Sequence, residues 1–107
     1  MMKETLENLS KTTYRPEFLR QFEELNRETQ NKAAQKKTEL VEEYRTNPWK
    51  HPRVKYIPSQ GEIWRLKIGN RGQKIDHRIF FDLNDEGLIF LTIQHRDRAY
   101  EKNRPKH

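Results

Sequence analysis

Three stretches decide the fold: Glu62-Ile63-Trp64-Arg65-Leu66-Lys67-Ile68, Asp76-His77-Arg78-Ile79-Phe80-Phe81-Asp82-Leu83 and Leu88-Ile89-Phe90-Leu91-Thr92-Ile93-Gln94-His95. Each is the length of a strand and rich in β-branched and aromatic residues. Gly69-Asn70-Arg71-Gly72 separates the first two and Asn84-Asp85-Glu86-Gly87 the last two. Both links consist of residues that accept a positive φ, so the three strands are predicted to form an antiparallel meander. Successive strand residues point to opposite faces. In the first strand Trp64, Leu66 and Ile68 share one face, and Arg65 and Lys67 share the other, about 7 Å apart. In the third, Ile89, Leu91 and Ile93 form one apolar face, while Thr92, Gln94 and Arg96 fall opposite. The middle strand carries aromatics on both faces. Arg78 joins the cationic face if Ile79 and Phe81 pack inward.

Upstream, the periodicity changes. Phe18, Leu19, Phe22 and Leu25 follow Pro16 at helical spacing, and Ala33, Ala34, Lys37, Leu40, Val41 and Tyr44 mark a second helix. The break between them is expected near Asn26 to Gln30, and Asn47-Pro48 ends the second helix. Lys11 to Arg15 reads as a short edge strand, and residues 49–58 as a basic, proline-punctuated connector. The expected fold is therefore α+β, with an N-terminal helical hairpin packed on one face of an antiparallel β-sheet. Residues 1–10 read as a flexible or additional N-terminal segment, and residues 11–107 as one domain.

Charge narrows the function. The net charge is +6, unevenly distributed. From Pro16 to Tyr44 five Lys/Arg face seven Glu, whereas from Arg45 to Arg78 nine Lys/Arg face two acids. Concentrated positive charge suits a polyanion partner such as a nucleic acid. It also suits a surface that only keeps the protein soluble. Cysteine is absent, which excludes disulfides and thiolate metal sites. The four histidines lack metal-ligand spacing, so no metal and no cofactor is expected. No apolar run reaches the roughly 20 residues of a membrane span, so no membrane partner is expected and the default location is cytoplasmic.

The stretches Ile63 to Gly69, His77-Arg78-Ile79-Phe80-Phe81 and Ile93-Gln94-His95-Arg96-Asp97-Arg98-Ala99-Tyr100 resemble the pattern of the RelE/ParE toxins of type II toxin–antitoxin systems. The resemblance spans residues 11–102, and the closing His95-Arg96 with Tyr100 is its most specific part. It implies a RelE-like mRNA interferase, a metal-free endoribonuclease that cuts mRNA, usually on the ribosome, and inhibits translation. It also implies an acidic cognate antitoxin. The alternative within the superfamily is a ParE-like inhibitor of DNA gyrase without catalytic activity. By position the resemblance assigns Arg65, Lys67, Arg78, Arg96 and Tyr100 to the catalytic site. Arg65 and Arg96 would hold phosphate oxygens and Arg78 would stabilise developing charge. Tyr100 would stack on a base or accept a proton, with Lys67 as its rival. The Gly69–Asp76 turn is longer than is usual in the family and adds Arg71 and Lys74. These two are read with His77 as RNA-binding. His77 could instead take a catalytic proton role or be a hydrogen-bonded strand histidine, and for His95 a structural role is expected.

Overall fold

A computed structural model describes residues 12–44, 47–58, 63–84 and 87–99. The first strand, β1 (Thr12–Tyr14), hands over at Pro16 to α1 (Pro16–Glu23). Proline is at home there because the first helical N–H has no intrahelical acceptor. The helix ends at Glu24, and Asn26 caps the next one by accepting the Thr29 N–H at 2.8 Å. The second helix, α2, accordingly runs from Arg27 to Glu43. The break between the helices thus falls just before the segment expected from hydrophobic spacing. The cap fixes it, because Asn26 satisfies one of the orphan donors of the first turn.

The connector is more ordered than its prolines suggest. After a 3₁₀ turn at Pro48–Lys50 comes a strand, β2 (Val54–Ile57). His51 holds this region to α2. Its Nδ1 accepts the Arg53 N–H at 3.0 Å, which leaves Nε2 to donate to Glu39 at 2.8 Å. His51 is 2% exposed, and its role is structural. Then follow β3 (Ile63–Gly69), β4 (Asp76–Asn84), β5 (Gly87–His95) and a short terminal helix, α3 (Arg96–Ala99). The turn residues Asp85 and Glu86 and the N-terminal residues 1–11 lie outside the described residues.

The sheet order is β1-β5-β4-β3-β2. β1 runs parallel to β5, and the other neighbours are antiparallel. Two helices on one face of this mostly antiparallel sheet make the expected α+β fold. The main core lies under the helices: Phe18, Ala33 and Leu40 meet Leu66, Ile68, Ile79, Phe81, Leu88, Phe90 and Ile93. The Phe18 and Phe90 rings lie 5.7 Å apart, a favourable aromatic separation.

One irregularity changes the faces of β5. Phe81 pairs with Phe90 and Phe80 with Thr92, so Leu91 is an extra residue, a β-bulge. Strict alternation would put Ile89, Leu91 and Ile93 together on one apolar face, packed on the helices. The bulge shifts the parity by one. Leu88, Phe90 and Ile93 face the helices, whereas Ile89 and Leu91 pack with Ile63, Phe80 and Ile57 in a second cluster on the opposite face.

Candidate functional site

Strand register places the face away from the helices row by row. Across one end run Ile57, Ile63, Asp82 and Ile89. The next row is Lys55, Arg65, Phe80 and Thr92, and the next Lys67, Arg78 and Gln94. Beyond them Asp76 sits opposite Gly69, and Arg96 opens α3 where β5 ends. The face is thus apolar at one end and cationic at the other. Arg65, Lys67 and Arg78, assigned from the sequence to one site, share this face. Direct neighbours across strands have Cβ atoms about 5 Å apart.

Lys67 and Arg78 stand directly opposite each other, an arrangement that repulsion opposes. Asp76 offsets it. Its Oδ1 accepts from Arg78 Nη1 at 2.8 Å, and both side chains are almost wholly buried. The other oxygen, Oδ2, accepts the Gly72 N–H at 3.1 Å. One carboxylate therefore anchors the guanidinium and closes the β3–β4 turn. Burial works against its charge. The Arg78 hydrogen bond, the Gly72 N–H and the charges of Arg78 and Arg96 outweigh that and hold the Asp76 carboxyl below the ordinary range. Asp76 is thus a counter-carboxylate for this face. Its signal was alternation itself, since residues two apart on a strand share a face.

The turn depends on Gly69, with φ +79°, where a Cβ would lie 1.9 Å from the Ile75 carbonyl oxygen. Asn70 N–H donates to that same oxygen at 3.1 Å. Arg71 and Lys74 are exposed in this turn, and Lys74 reaches Glu28 of α2 at 3.6 Å. They flank the cationic end and are not part of its rows.

Among the described residues neither Arg65 nor Lys67 forms an ion pair, while Arg96 lies 3.9 Å from Asp97. Arg65 Nε, Arg78 Nε, Thr92 Oγ1 and Gln94 Oε1 are buried without a hydrogen-bond partner. Unpaired polar atoms on one sheet face are groups that a polar ligand could satisfy. Two guanidinium Nε donors beside a lysine suit an anion with several oxygens. Tyr100 lies outside the described residues.

His77, read as RNA-binding, is not on this face. It pairs with Ile68 and His95 on the helix side, where its ring meets that of His95 edge-on at 5.2 Å. Both rings line a cavity of about 470 Å³ between α1 and the sheet, together with Glu17, Arg20, Gln21 and Glu24. Burial, the neighbouring His95 and Arg78 lower the His77 pKa, against an opposing pull from Asp76. Its even spacing from Phe81 and Ile79 placed it on the helix face once those residues turned inward. Among the described residues no group of three or more His, Cys, Asp or Glu could hold a metal ion. No helix there is long and apolar enough to cross a membrane.

A helix pair on one face of a five-stranded sheet is an α+β fold of the kind found in RelE/ParE-like toxins. The model for the ParE toxin of type II toxin–antitoxin systems matches residues 13–100, and the chain belongs to this family. Membership implies an antitoxin partner. No curated protein matches the chain significantly.

Proposed function

We propose that this toxin acts on RNA, as a metal-free endoribonuclease of the RelE-like branch, and that it does so at the cationic end of the exposed sheet face. The observation that carries the reading is the row Lys67–Arg78–Gln94 beside Arg65. It gathers three cations around unpaired donors with one carboxylate among them. Such a face costs stability through like-charge repulsion, which an anionic ligand would relieve.

In this reading a ribose 2′-hydroxyl attacks the adjacent phosphorus and the 5′-oxygen leaves, giving a cyclic phosphate and a free 5′-hydroxyl. Arg65 and Arg96 hold the non-bridging oxygens. Arg78, oriented by Asp76, faces the charge that grows on them. Lys67 or Tyr100 moves the proton. Positioning and electrostatics supply most of the acceleration. The expected partners are mRNA, presented on the ribosome, and an acidic antitoxin that covers the same charges.

The family match favours a second reading, a gyrase inhibitor without catalysis. Its specific support in the structure is the Asp76–Arg78 ion pair, which occupies one of the proposed catalytic cations. Induced expression separates the two. The ribonuclease reading expects translation to stop first, with new RNA 5′-hydroxyl ends, and Arg96→Ala to prevent both. Prompt loss of DNA supercoiling with translation intact establishes the inhibitor instead.

A further inference from the structure

Among the described residues β2 is the last strand at its side of the sheet, and the two faces of this edge differ. Tyr56 pairs with Trp64, which shares the core-facing side of β3 with Leu66, so both rings lie on the helix side. Their centroids are 4.9 Å apart. Trp49, from the 3₁₀ turn, joins them with its ring 6.5 Å from that of Trp64. Trp64 is half-buried against the core, whereas Trp49 is 46% and Tyr56 40% exposed. Two exposed rings thus rest on a third that the core holds in place.

The surroundings are cationic. Lys50 follows Trp49 and Lys55 precedes Tyr56; both lysines are exposed, and among the described residues neither forms an ion pair. From Asn47 to Pro58 the chain holds Lys50, Arg53 and Lys55 and no acidic residue. Glu39 of α2, which reaches this region, is held by His51 and Lys36. On the other side of the edge Lys55 stands opposite Arg65, so the exposed rings and the cationic rows of the sheet are separated only by the width of β2.

We propose that this edge is a base-stacking subsite for single-stranded RNA, with Trp49 and Tyr56 taking bases and Lys50 and Lys55 the adjoining phosphates. The proposal rests on the reading of the cationic face as an RNA site and names the path by which the strand leaves it. Successive strand residues point to opposite faces. A strand held at Arg65 and Lys67 therefore passes Lys55 and turns over the edge onto the ring of Tyr56. Exposed aromatic rings beside a basic track are the means by which single strands are bound without regard to sequence, because every base has a π-face. A protein partner fits less well. The cores of protein interfaces are poor in lysine, and here an exposed lysine adjoins each exposed ring.

The test uses the purified full-length chain, freed of antitoxin, and a fluorescent 2′-O-methyl oligoadenylate, which lacks the attacking hydroxyl and cannot be cut. Trp49→Ala and Tyr56→Ala should each weaken binding about tenfold, as the loss of one stacked base does. Tyr56→Phe should bind as wild type does. Lys55→Ala should reduce the slope of log Kd against log salt by about one. Trp64→Phe leaves Trp49 as the sole tryptophan, and its emission should be quenched as the strand binds. That readout does not depend on how well the alanine variants fold. Wild type that fails to bind the strand, folded alanine variants that bind it undiminished, or Trp49 emission unmoved at saturation would each overturn the proposal. So would alanine variants that keep the strand and lose only the antitoxin, which would make the edge a protein contact. The ribonuclease reading fails separately: wild type that binds through both rings yet cuts no RNA supports the subsite and removes the catalysis.

Discussion

Replacing Asp76 by Asn keeps the shape of the side chain and removes its charge. The Arg78 guanidinium, 4% exposed, then loses its ion-pair partner while remaining buried. Removing one member of a buried pair costs about 3–5 kcal/mol, chiefly because the surviving charge stays desolvated. Asn can still accept the Gly72 N–H, so the turn survives and the lower end, about 3 kcal/mol, is expected. For a domain of this size that corresponds to a fall in Tm of roughly 12 °C. Urea denaturation of wild type, Asp76→Asn, Arg78→Met and the double variant gives the coupling energy directly. The double variant should recover most of the loss, since an apolar chain of similar length leaves no buried charge. Acid titration adds the sign. The folded-state pKa of Asp76 lies below its unfolded value. Its stabilisation is thus present above the unfolded pKa and disappears as pH falls through the folded one. Asp76→Asn should flatten that part of the acid curve. A single variant within 0.5 kcal/mol of wild type would refute the view that this carboxylate holds the cationic face together.

His77 has the opposite linkage. Its pKa is lowered in the fold, so the unfolded chain binds more protons and stability falls once pH drops below about 6.5; His77→Gln should remove that slope from the denaturation midpoints. Gly69→Ala should cost about 2 kcal/mol or more, because of the positive φ and the Ile75 carbonyl in the path of the new methyl; a Tm within a degree of wild type would contradict it. Lys67→Ala and Arg96→Ala should leave Tm nearly unchanged. If the proposed ribonuclease reading holds, each should slow RNA cleavage about a hundredfold, the equivalent of roughly 3 kcal/mol of transition-state stabilisation. A folded Arg96→Ala protein that cuts at the wild-type rate would relocate the site.

The three strands of the meander were legible because glycine-rich turns bracket them and because alternation in β3 is clean: Trp64, Leu66 and Ile68 against Arg65 and Lys67. The shared face of Arg65, Lys67 and Arg78 followed from that alternation once Ile79 and Phe81 proved to be core residues. Two features were hidden for physical reasons. β2 is four residues long and sits between prolines, so its strand character comes from pairing with β3, a long-range contact that local composition does not encode. The bulge at Leu91 leaves no local mark either. Leu88 to Ile93 is apolar at five of six positions, and a run so uniform shows no parity from which a slip could be read. Asp76 is legible as a strand residue, and its place two residues before Arg78 puts the carboxylate on the same face as the guanidinium it neutralises.

The extra residue in β5 is a place where the strand can lose length without losing its faces. Leu91 could be exchanged for another apolar residue with modest loss. Deleting it would set Phe90 and Thr92 side by side, opposite Phe81 and Phe80, and simple alternation would keep Leu88, Phe90 and Ile93 toward the helices and Ile89, Thr92 and Gln94 away from them. A deletion elsewhere in the strand with the bulge kept would instead turn one flank inside out. Among descendants of this chain one-residue gaps in β5 should therefore fall at this position sooner than at any other, with no matching change of length in β4.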